Sequence, residues 1–288
     1  MDRRLHLAAG PGEQPSWVLA QRAAHPALWP HVRQYQGYLE PPVAGTLERI
    51  EPPHGEVTLI VNLGDHLSVA SPGDRALGLQ PVAFLAGVHG FSARTRNQGR
   101  SAGIHVRMGA MAAAALMGVP GADIANRTFA LEDVLGRGVA DLHDDLLATD
   151  DWAARFDRMD GFLRARLERG RPLDRGVQWA LDRLVATAGA VPIEALATEI
   201  GWSRRHLARR FAAEIGLSPK LQARILRFRR AADLLRAGHG AATGLADLAV
   251  DCGFFDQAHM TREFRDLSGL TPAALAGRRL DGGGLSAA

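Results

Sequence analysis

Arginine side chains recur at helical spacing in the last third of the chain, where their type and position indicate chemistry. Arg205 and Arg209 are four residues apart, on the face opposite the apolar residues Leu207 and Phe211. A guanidinium group in such a position can donate two hydrogen bonds to the O6 and N7 atoms of a guanine. The pattern therefore predicts a surface that contacts DNA bases rather than a catalytic centre.

The charges of the chain are distributed in a way that agrees with this prediction. Residues 175–279 contain 16 basic against 10 acidic residues, whereas residues 1–174 contain 18 against 20. The whole chain of 288 residues carries 34 basic and 31 acidic side chains, a net charge of +3. A basic C-terminal third is typical of a module that binds a polyanion and follows a near-neutral domain.

An internal repeat places these arginines on two similar units. The first copy covers residues 193–219 and the second covers residues 245–272. In each copy a short helix is predicted to end at a glycine, Gly201 or Gly253, because the chain reverses there and glycine adopts a positive φ without strain. The second helices are predicted to begin at the N-caps Ser203 and Asp256 and to end at Gly216 and Gly269. This arrangement is the helix-turn-helix unit, whose second helix can lie in the major groove of DNA.

One helix is predicted between the two copies, from Pro219 to Arg236. Its apolar residues are Leu221, Ile225, Phe228, Ala232 and Leu235, and arginines surround the remaining faces. Eighteen residues of helix span about 27 Å, and successive major-groove faces lie about 34 Å apart. A single chain could therefore place both second helices on one duplex without forming a dimer.

The C-terminal third resembles the AraC/XylS family of bacterial transcription regulators over roughly residues 173–280. The resemblance is carried by the segment CGFFDQAHMTREF, residues 252–264, followed by Gly269-Leu-Thr-Pro272, which together are similar to the family's second helix-turn-helix signature. Phe255 stands where family members usually have a small polar residue, and Asp256 can cap the helix instead.

The resemblance implies that base contacts come from the exposed face of each second helix. By motif position, the base-contact candidates are Arg205, Ala208 and Arg209 in the first copy and Gln257, Ala258, His259 and Arg262 in the second. The phosphate-contact candidates, which would position the protein without specifying sequence, are Arg204, Arg210, Arg227 and Arg230. Gln257 could instead cap its helix or bind a phosphate. His259 has no cysteine or carboxylate partner at ligand spacing, and Cys252 is expected to be a buried thiol.

The first 110 residues contain short apolar stretches separated by glycine and proline turns, which indicates a small β-barrel or sandwich. Strands are predicted at residues 32–39, 57–63, 67–70, 82–85 and 103–108, and helices at residues 112–117, 139–147 and 151–169. The expected fold class is α+β with two domains: a β-rich domain with trailing helices over residues 1–170, cupin-like by the resemblance, and an all-α domain with two helix-turn-helix units over residues 173–280. A flexible tail is expected over residues 281–288.

Two further features of the first domain bear on its role. One is a helical stripe, Trp152, Phe156, Met159, Leu163 and Leu167, which is predicted to pack against the β domain or against a second subunit. The other is a set of histidines, His54, His66, His89 and His105, which lack a His-x-His pair and a suitably spaced glutamate. No metal or cofactor is therefore expected. The segments 87–90 and 94–96 could line a pocket, but we predict that they form solvated loops.

These observations predict a sequence-specific DNA-binding transcription regulator that is not an enzyme. Its expected partners are double-stranded promoter or operator DNA, an unidentified small-molecule effector and a second copy in a homodimer. Two alternatives stay open. The first domain could act as an enzyme on a small molecule while the second targets it to DNA, or it could only dimerise without binding a ligand.

The location of the protein is predicted from apolar segments and cysteine content. The longest apolar run, residues 110–119, is too short to cross a bilayer, and no apolar signal core follows the N-terminal arginines. The single cysteine, Cys252, excludes an intramolecular disulfide framework. A cytoplasmic protein without contact to the membrane is expected.

Overall fold

The computed structural model describes residues 3–11, 16–71, 78, 81–168, 170–239, 244–277, 280–281 and 284–286. Its strands are β1 (His6–Ala9), β2 (Val18–Ala23), β3 (Val32–Leu39), β4 (Val43–Glu51), β5 (Val57–Asn62), β6 (His66–Ala70), β7 (Ala83–Ala86), β8 (Ala93–Gly99), β9 (Ala102–Met108), β10 (Thr128–Ala130), β11 (Leu280–Asp281) and β12 (Gly284–Ser286). Its helices are α1 (Ala112–Met117), α2 (Gly121–Ile124), α3 (Leu131–Leu135), α4 (Gly138–Leu147), α5 (Trp152–Leu167), α6 (Arg175–Ala186), α7 (Ile193–Glu199), α8 (Arg204–Ile215), α9 (Pro219–Arg236), α10 (Leu245–Asp251), α11 (Gln257–Ser268) and α12 (Pro272–Ala276).

Two antiparallel sheets build the N-terminal part. The larger has seven strands in the order β1-β2-β3-β9-β5-β7-β10, and the smaller has the order β11-β12-β4-β8-β6. The central pair β5 and β9 sets Leu59 opposite Val106 and Ile60 opposite His105. Because successive side chains on a strand point to opposite faces, Leu59 and Val106 lie in the main core, whereas Ile60 packs against a second cluster that contains Val69. The larger sheet therefore has one face against the helices and one towards the smaller sheet.

Helix α5 covers the first of these faces. Asp151 caps it by accepting hydrogen bonds from the backbone N–H groups of residues 153 and 154, and its predicted apolar stripe is buried against the sheet from Trp152 to Leu163. The ring of Trp152 lies so close to Gly37 of β3 that a Cβ atom there would be 2.2 Å from the ring carbon Cζ3. Phe156 stacks on Tyr35 with ring centroids 5.5 Å apart. The prediction that this stripe packs against the β domain is confirmed.

A buried carboxylate ties the same helix to three separate segments. Asp160 accepts hydrogen bonds from the Arg22 guanidinium (3.2 Å), the His25 backbone N–H (2.7 Å) and the Tyr35 hydroxyl (2.8 Å). The Arg3 guanidinium also contacts this carboxylate. Although only 5% of Asp160 is exposed, its oxygens therefore accept several donors and its guanidinium partners lie beside it, as a buried carboxylate requires.

The described C-terminal residues are helical from α6 to α12, as the sequence predicts. Residues beyond α12 depart from the prediction of a flexible tail over 281–288: Leu280–Asp281 and Gly284–Ser286 form two short strands, and β12 pairs with β4. Pairing there satisfies backbone N–H and C=O groups that the edge of β4 would otherwise present unpaired. Residues 282–283 and 287–288 lie outside the described part. No helix in the described ranges is both long and apolar enough to cross a membrane.

Candidate nucleic-acid interface and cavity

The first helix-turn-helix unit consists of α7 and α8. Gly201 between them has a φ of +70°, and Ser203 caps α8 by accepting a hydrogen bond from the His206 backbone N–H (3.1 Å). Leu207 and Phe211 are fully buried under α8. The turn and the cap fix the direction of α8, and burial of one face leaves the other face available for a partner.

The second unit consists of α10 and α11 and repeats this design. Gly253 has a φ of +79°, and Asp256 caps α11 by accepting a hydrogen bond from the His259 backbone N–H (2.6 Å). Met260 and Phe264 are fully buried. The prediction that Asp256 serves as the N-cap is confirmed.

Helix α9 joins the two units and has the predicted bounds, Pro219 to Arg236. Its Phe228 ring meets the Phe264 ring of α11 edge to face, with centroids 4.7 Å apart. Its Arg224 guanidinium donates to the Glu263 carboxylate at 2.7 Å. An aromatic contact and an ion pair therefore fix α11 relative to the connecting helix.

The structure exposes most of the predicted base-contact side chains. Those exposed are Arg205, Arg209, Gln257, Ala258 and Arg262, whereas Ala208 and His259 are half-buried. Arg209 Nη2 lies 3.4 Å from His206 Nδ1. Arg205 and Arg209 on α8 and Arg262 on α11 are thus accessible to a ligand.

The expectation that His259 has no carboxylate partner is wrong, because Glu263 follows it by four residues, one turn along α11. His259 Nδ1 accepts a hydrogen bond from the Phe255 backbone N–H at 3.2 Å, and its Nε2 lies 3.4 Å from the Glu263 carboxylate. Its ring also meets the buried Phe254 ring edge to face at 5.7 Å. These contacts orient the turn before α11, so they give His259 a structural role in addition to the predicted one.

The four predicted phosphate-contact arginines differ in their surroundings. Arg204 and Arg230 are exposed. Arg210 donates to Asp174 from Nε at 3.0 Å, and its Nη2 contacts the same oxygen. Burial tends to raise the pKa of Asp174, but the hydrogen bonds from Arg210 and from two backbone N–H groups lower it overall. Arg227 is half-buried and donates to the Gly189 carbonyl at 2.8 Å. Arg210 and Arg227 therefore have structural partners that the sequence did not predict.

Helices α8 and α9 also contact the β-rich domain. Gln222 donates to the Gly55 carbonyl at 2.9 Å, and Arg229 forms an ion pair with Glu56 at 2.7 Å. At the end of α8, a Cβ atom on Gly216 would lie 2.4 Å from the Gly121 carbonyl oxygen of α2. Glycine is required there because the two backbones meet and because its φ is +89°.

A cavity of about 750 Å³ lies between the two sheets, and α9 forms part of its wall. Its apolar lining includes Tyr38, Leu47, Ile60, Phe84 and Phe228, and its polar lining includes Glu51, Thr95, Arg107, Arg229 and Arg236. A cavity of this size and mixed lining can hold a small molecule. Because α9 joins the two helix-turn-helix units, a ligand in the cavity would touch the DNA-binding region directly.

Three of the four histidines noted in the sequence line this cavity, namely His54, His89 and His105. The rings of His54 and His89 meet edge to face, with centroids 5.7 Å apart. Burial lowers the pKa of His54 well below its usual range and lowers the pKa of His105 to about 4. These imidazoles are therefore neutral at pH 7. In the described residues, no group of three or more histidine, cysteine or acidic side chains could hold a metal ion.

The segments 87–90 and 94–96 were predicted to be solvated loops, but they form part of the cavity region. Residues 87–90 are buried, and His89 lines the cavity. Residues 94–96 lie in β8, where Thr95 points inward and Arg94 is exposed. The prediction was wrong because a cavity inside the β domain requires polar side chains on inward-facing positions, which resemble loop sequence.

Sequence and structure comparisons give the following similarities. Residues 196–278 match the family model described as a helix-turn-helix domain. The chain is similar to the C-terminal domain of AraT, a response regulator from Geobacillus stearothermophilus (20% identity, 37% of this chain and 87% of that one, TM-score 0.34). It is also similar to a transcriptional regulator with an AraC-type DNA-binding domain from Chromobacterium violaceum (24% identity, 35% and 88%, TM-score 0.32). ToxT from Vibrio cholerae covers more of the chain (9% identity, 84% and 96%, TM-score 0.47). No curated protein sequence matches the chain at a significant level.

Proposed function

We infer that this chain, whose residues 196–278 match a helix-turn-helix domain, is a sequence-specific DNA-binding transcription regulator of the AraC type. The observation that carries this inference is the pair of helix-turn-helix units, each with a positive-φ glycine in its turn, a side-chain N-cap and exposed polar residues on its second helix. We place the division between the regulatory and DNA-binding domains at residues 170–173, and the protein in the cytoplasm, where it would meet chromosomal DNA.

We assign base contacts first to the exposed arginines of the two second helices. Arg205 and Arg209 on α8 and Arg262 on α11 can each offer two donors to a guanine. Gln257, Ala258, Ala208 and His259 complete the proposed base-contact set. Arg204 and Arg230 are the better placed of the phosphate candidates, because Arg210 and Arg227 already donate to Asp174 and Gly189.

The experiment is a binding titration of the full chain on a duplex selected from a random library. Arg209→Ala is expected to weaken binding to the selected site by about 1–3 kcal/mol and to relax the preference at one base pair. Arg164→Ala, which removes an exposed arginine from α5 of the other domain, is the matched control and should change nothing. Equal effects of the two variants would show that α8 does not contact bases.

We further propose that the cavity binds an amphipathic small molecule with an anionic head. Its walls are largely apolar, whereas three arginines at its edge, Arg107, Arg229 and Arg236, share the carboxylates of Glu56 and Asp233. Burial raises the pKa of Glu51, which favours its neutral form. Three guanidinium groups thus share two carboxylates, and an anionic group on a ligand would balance the remaining positive charge.

The proposed link to DNA binding is the Arg229–Glu56 ion pair. Arg229 lies on α9 and lines the cavity, and Glu56 lies in the turn before β5, so this pair joins the connecting helix to the β-rich domain beside the cavity. A ligand carboxylate that binds Arg229 would compete with Glu56 and change the contact between the domains. Dimerisation through the first domain is a further proposal, which sedimentation of the full chain with and without DNA would test.

Matched ligands test the effector proposal. Dodecanoic acid is expected to bind the full chain at least about tenfold more tightly than its methyl ester, because a hydrogen bond to a charged group is worth about 1.5–3 kcal/mol. Arg107→Gln should remove this preference. The control Arg94→Gln, an exposed arginine on β8, should retain it. Equal affinity of the acid and the ester for the unaltered chain would contradict the assignment of an anionic head.

The titratable side chains in the cavity are the observation that favours an enzyme as the second candidate. Their hydrogen bonds argue for a structural use: His54 Nδ1 accepts from the Glu56 backbone N–H at 3.2 Å, its Nε2 lies 3.2 Å from the Thr58 hydroxyl, and His89 Nδ1 lies 3.2 Å from the Gly87 carbonyl. Recovery of a bound small molecule in chemically altered form after incubation would favour the enzyme instead.

A further inference from the structure

Phe255 is the most exposed of the large apolar side chains in the described part of the chain. Its exposed fraction is 87%, whereas its neighbour Phe254 is 4% exposed and belongs to the core. It lies in the turn between α10 and α11, directly before the cap residue Asp256. A phenyl ring fully in water forgoes the stabilisation that burial gives, so this ring is available to a partner that would cover it.

The backbone around Phe255 is held by hydrogen bonds on both sides. Its own N–H donates to His259 Nδ1 at 3.2 Å, and the Phe254 N–H donates to the Ala249 carbonyl at 2.9 Å. On the following side, Asp256 caps the helix through the His259 backbone N–H. The ring is therefore presented from an ordered turn, and its Cα position is set relative to α11.

The position of the ring relative to α11 suggests what it contacts. In a helix-turn-helix unit, the residues at the N-terminal end of the second helix lie nearest the base edges in the major groove. Phe255 precedes that end, beside the exposed Gln257 and Ala258. A phenyl ring offers no hydrogen-bond donor to a phosphate, but it can pack against the C5-methyl group of thymine, the apolar group in the major groove.

We propose that Phe255 contacts DNA and contributes specificity for a thymine through its methyl group. The inference rests on the proposed DNA-binding function and adds a residue to it. A protein partner on the same ring is the competing explanation, and the experiment below separates the two.

The experiment removes one methyl group at a time from the DNA. The full chain is titrated on its highest-affinity selected duplex, with each thymine of the half-site bound by α11 replaced in turn by deoxyuridine. At one position the replacement should weaken binding about fourfold, which corresponds to one methyl-sized group withdrawn from contact. Phe255→Ser should bind the thymine duplex about as weakly as the unaltered chain binds the deoxyuridine duplex, and should not distinguish the two.

Val250→Ser is the matched control, because Val250 is also an exposed apolar residue (64%) but lies on α10. This variant should keep the fourfold difference. The inference is overturned if no thymine position distinguishes Phe255→Ser from the unaltered chain, or if the half-site contains no preferred thymine. It is also overturned if Phe255→Ser lowers transcription while its affinity for DNA stays unchanged, since the ring would then contact a protein. Failure of the unaltered chain to prefer any duplex would instead refute the proposed function.

Discussion

Helix α9 carries two arginines with different surroundings, and we expect one to stabilise the fold and the other to contact DNA. Arg227 is half-buried and donates to the Gly189 carbonyl at 2.8 Å, whereas Arg230, three residues later, is exposed. Burial lowers the pKa of Arg227, which agrees with a guanidinium held inside the domain. We therefore expect the two alanine variants to fail in different assays.

Arg227→Ala removes a hydrogen bond from a charged donor and leaves the Gly189 carbonyl without that partner. Bonds of this kind contribute about 1.5–3 kcal/mol, so the free energy of unfolding should fall by that amount in urea titrations followed by circular dichroism. The salt dependence of DNA binding should not change, because this side chain faces the protein.

Arg230→Ala should give the opposite result. Loss of one phosphate contact makes the slope of log K against log salt concentration shallower by about 0.9. When the salt concentration rises fourfold, the factor by which affinity falls should therefore be about 3.5 times smaller for the variant than for the unaltered chain. Its stability should be unchanged. A shallower salt slope for Arg227→Ala with normal stability would refute the assignment of a structural role to Arg227.

Three other perturbations test the fold that carries these sites. Asp160→Ala should destabilise the N-terminal domain by about 3–5 kcal/mol, measured by urea titration, because the Tyr35 hydroxyl and the His25 backbone N–H lose their acceptor and Arg22 keeps only the exposed Asp157 carboxylate. A loss of about 0.5 kcal/mol or less, the size expected of a surface change, would show that the network is dispensable. Gly37→Ala should cost about 1–3 kcal/mol, since its Cβ would overlap the Trp152 ring, and Trp152→Leu in the same chain should recover part of that loss. The free energy of unfolding should fall as pH drops from about 6.5, the usual pKa of histidine, towards the pKa of about 4 of the buried His105. In that range the unfolded chain takes up a proton that the buried imidazole does not. Thermal melts of His105→Gln should depend less on pH, and the same pH profile in the variant as in the unaltered chain would contradict this.

The helix-turn-helix region could be predicted closely because its signals are local. Gly201 and Gly253 sit where only a positive φ closes the turn, and Ser218 and Pro219 mark the beginning of α9. Such signals depend on a few adjacent residues, so the sequence contains them in readable form.

Other features depend on contacts between residues that are distant in the chain. Strand β8 carries polar residues on both faces, because Thr95 lines a cavity and Arg94 meets solvent, so it lacks the apolar alternation of a strand. The partners of Arg210 and Arg227 come from residues 36 and 38 positions away. Neither the cavity nor these pairs has a local signature.

The central claim is that both helix-turn-helix units of one chain contact the same duplex. Hydroxyl-radical footprinting of the full chain on its selected site measures this directly. We predict two protected segments on one face of the DNA, with centres one helical turn, about 10–10.5 base pairs, apart. Arg209→Ala should weaken protection of one segment and Arg262→Ala that of the other. A single protected segment, or two segments that both variants weaken alike, would contradict the claim.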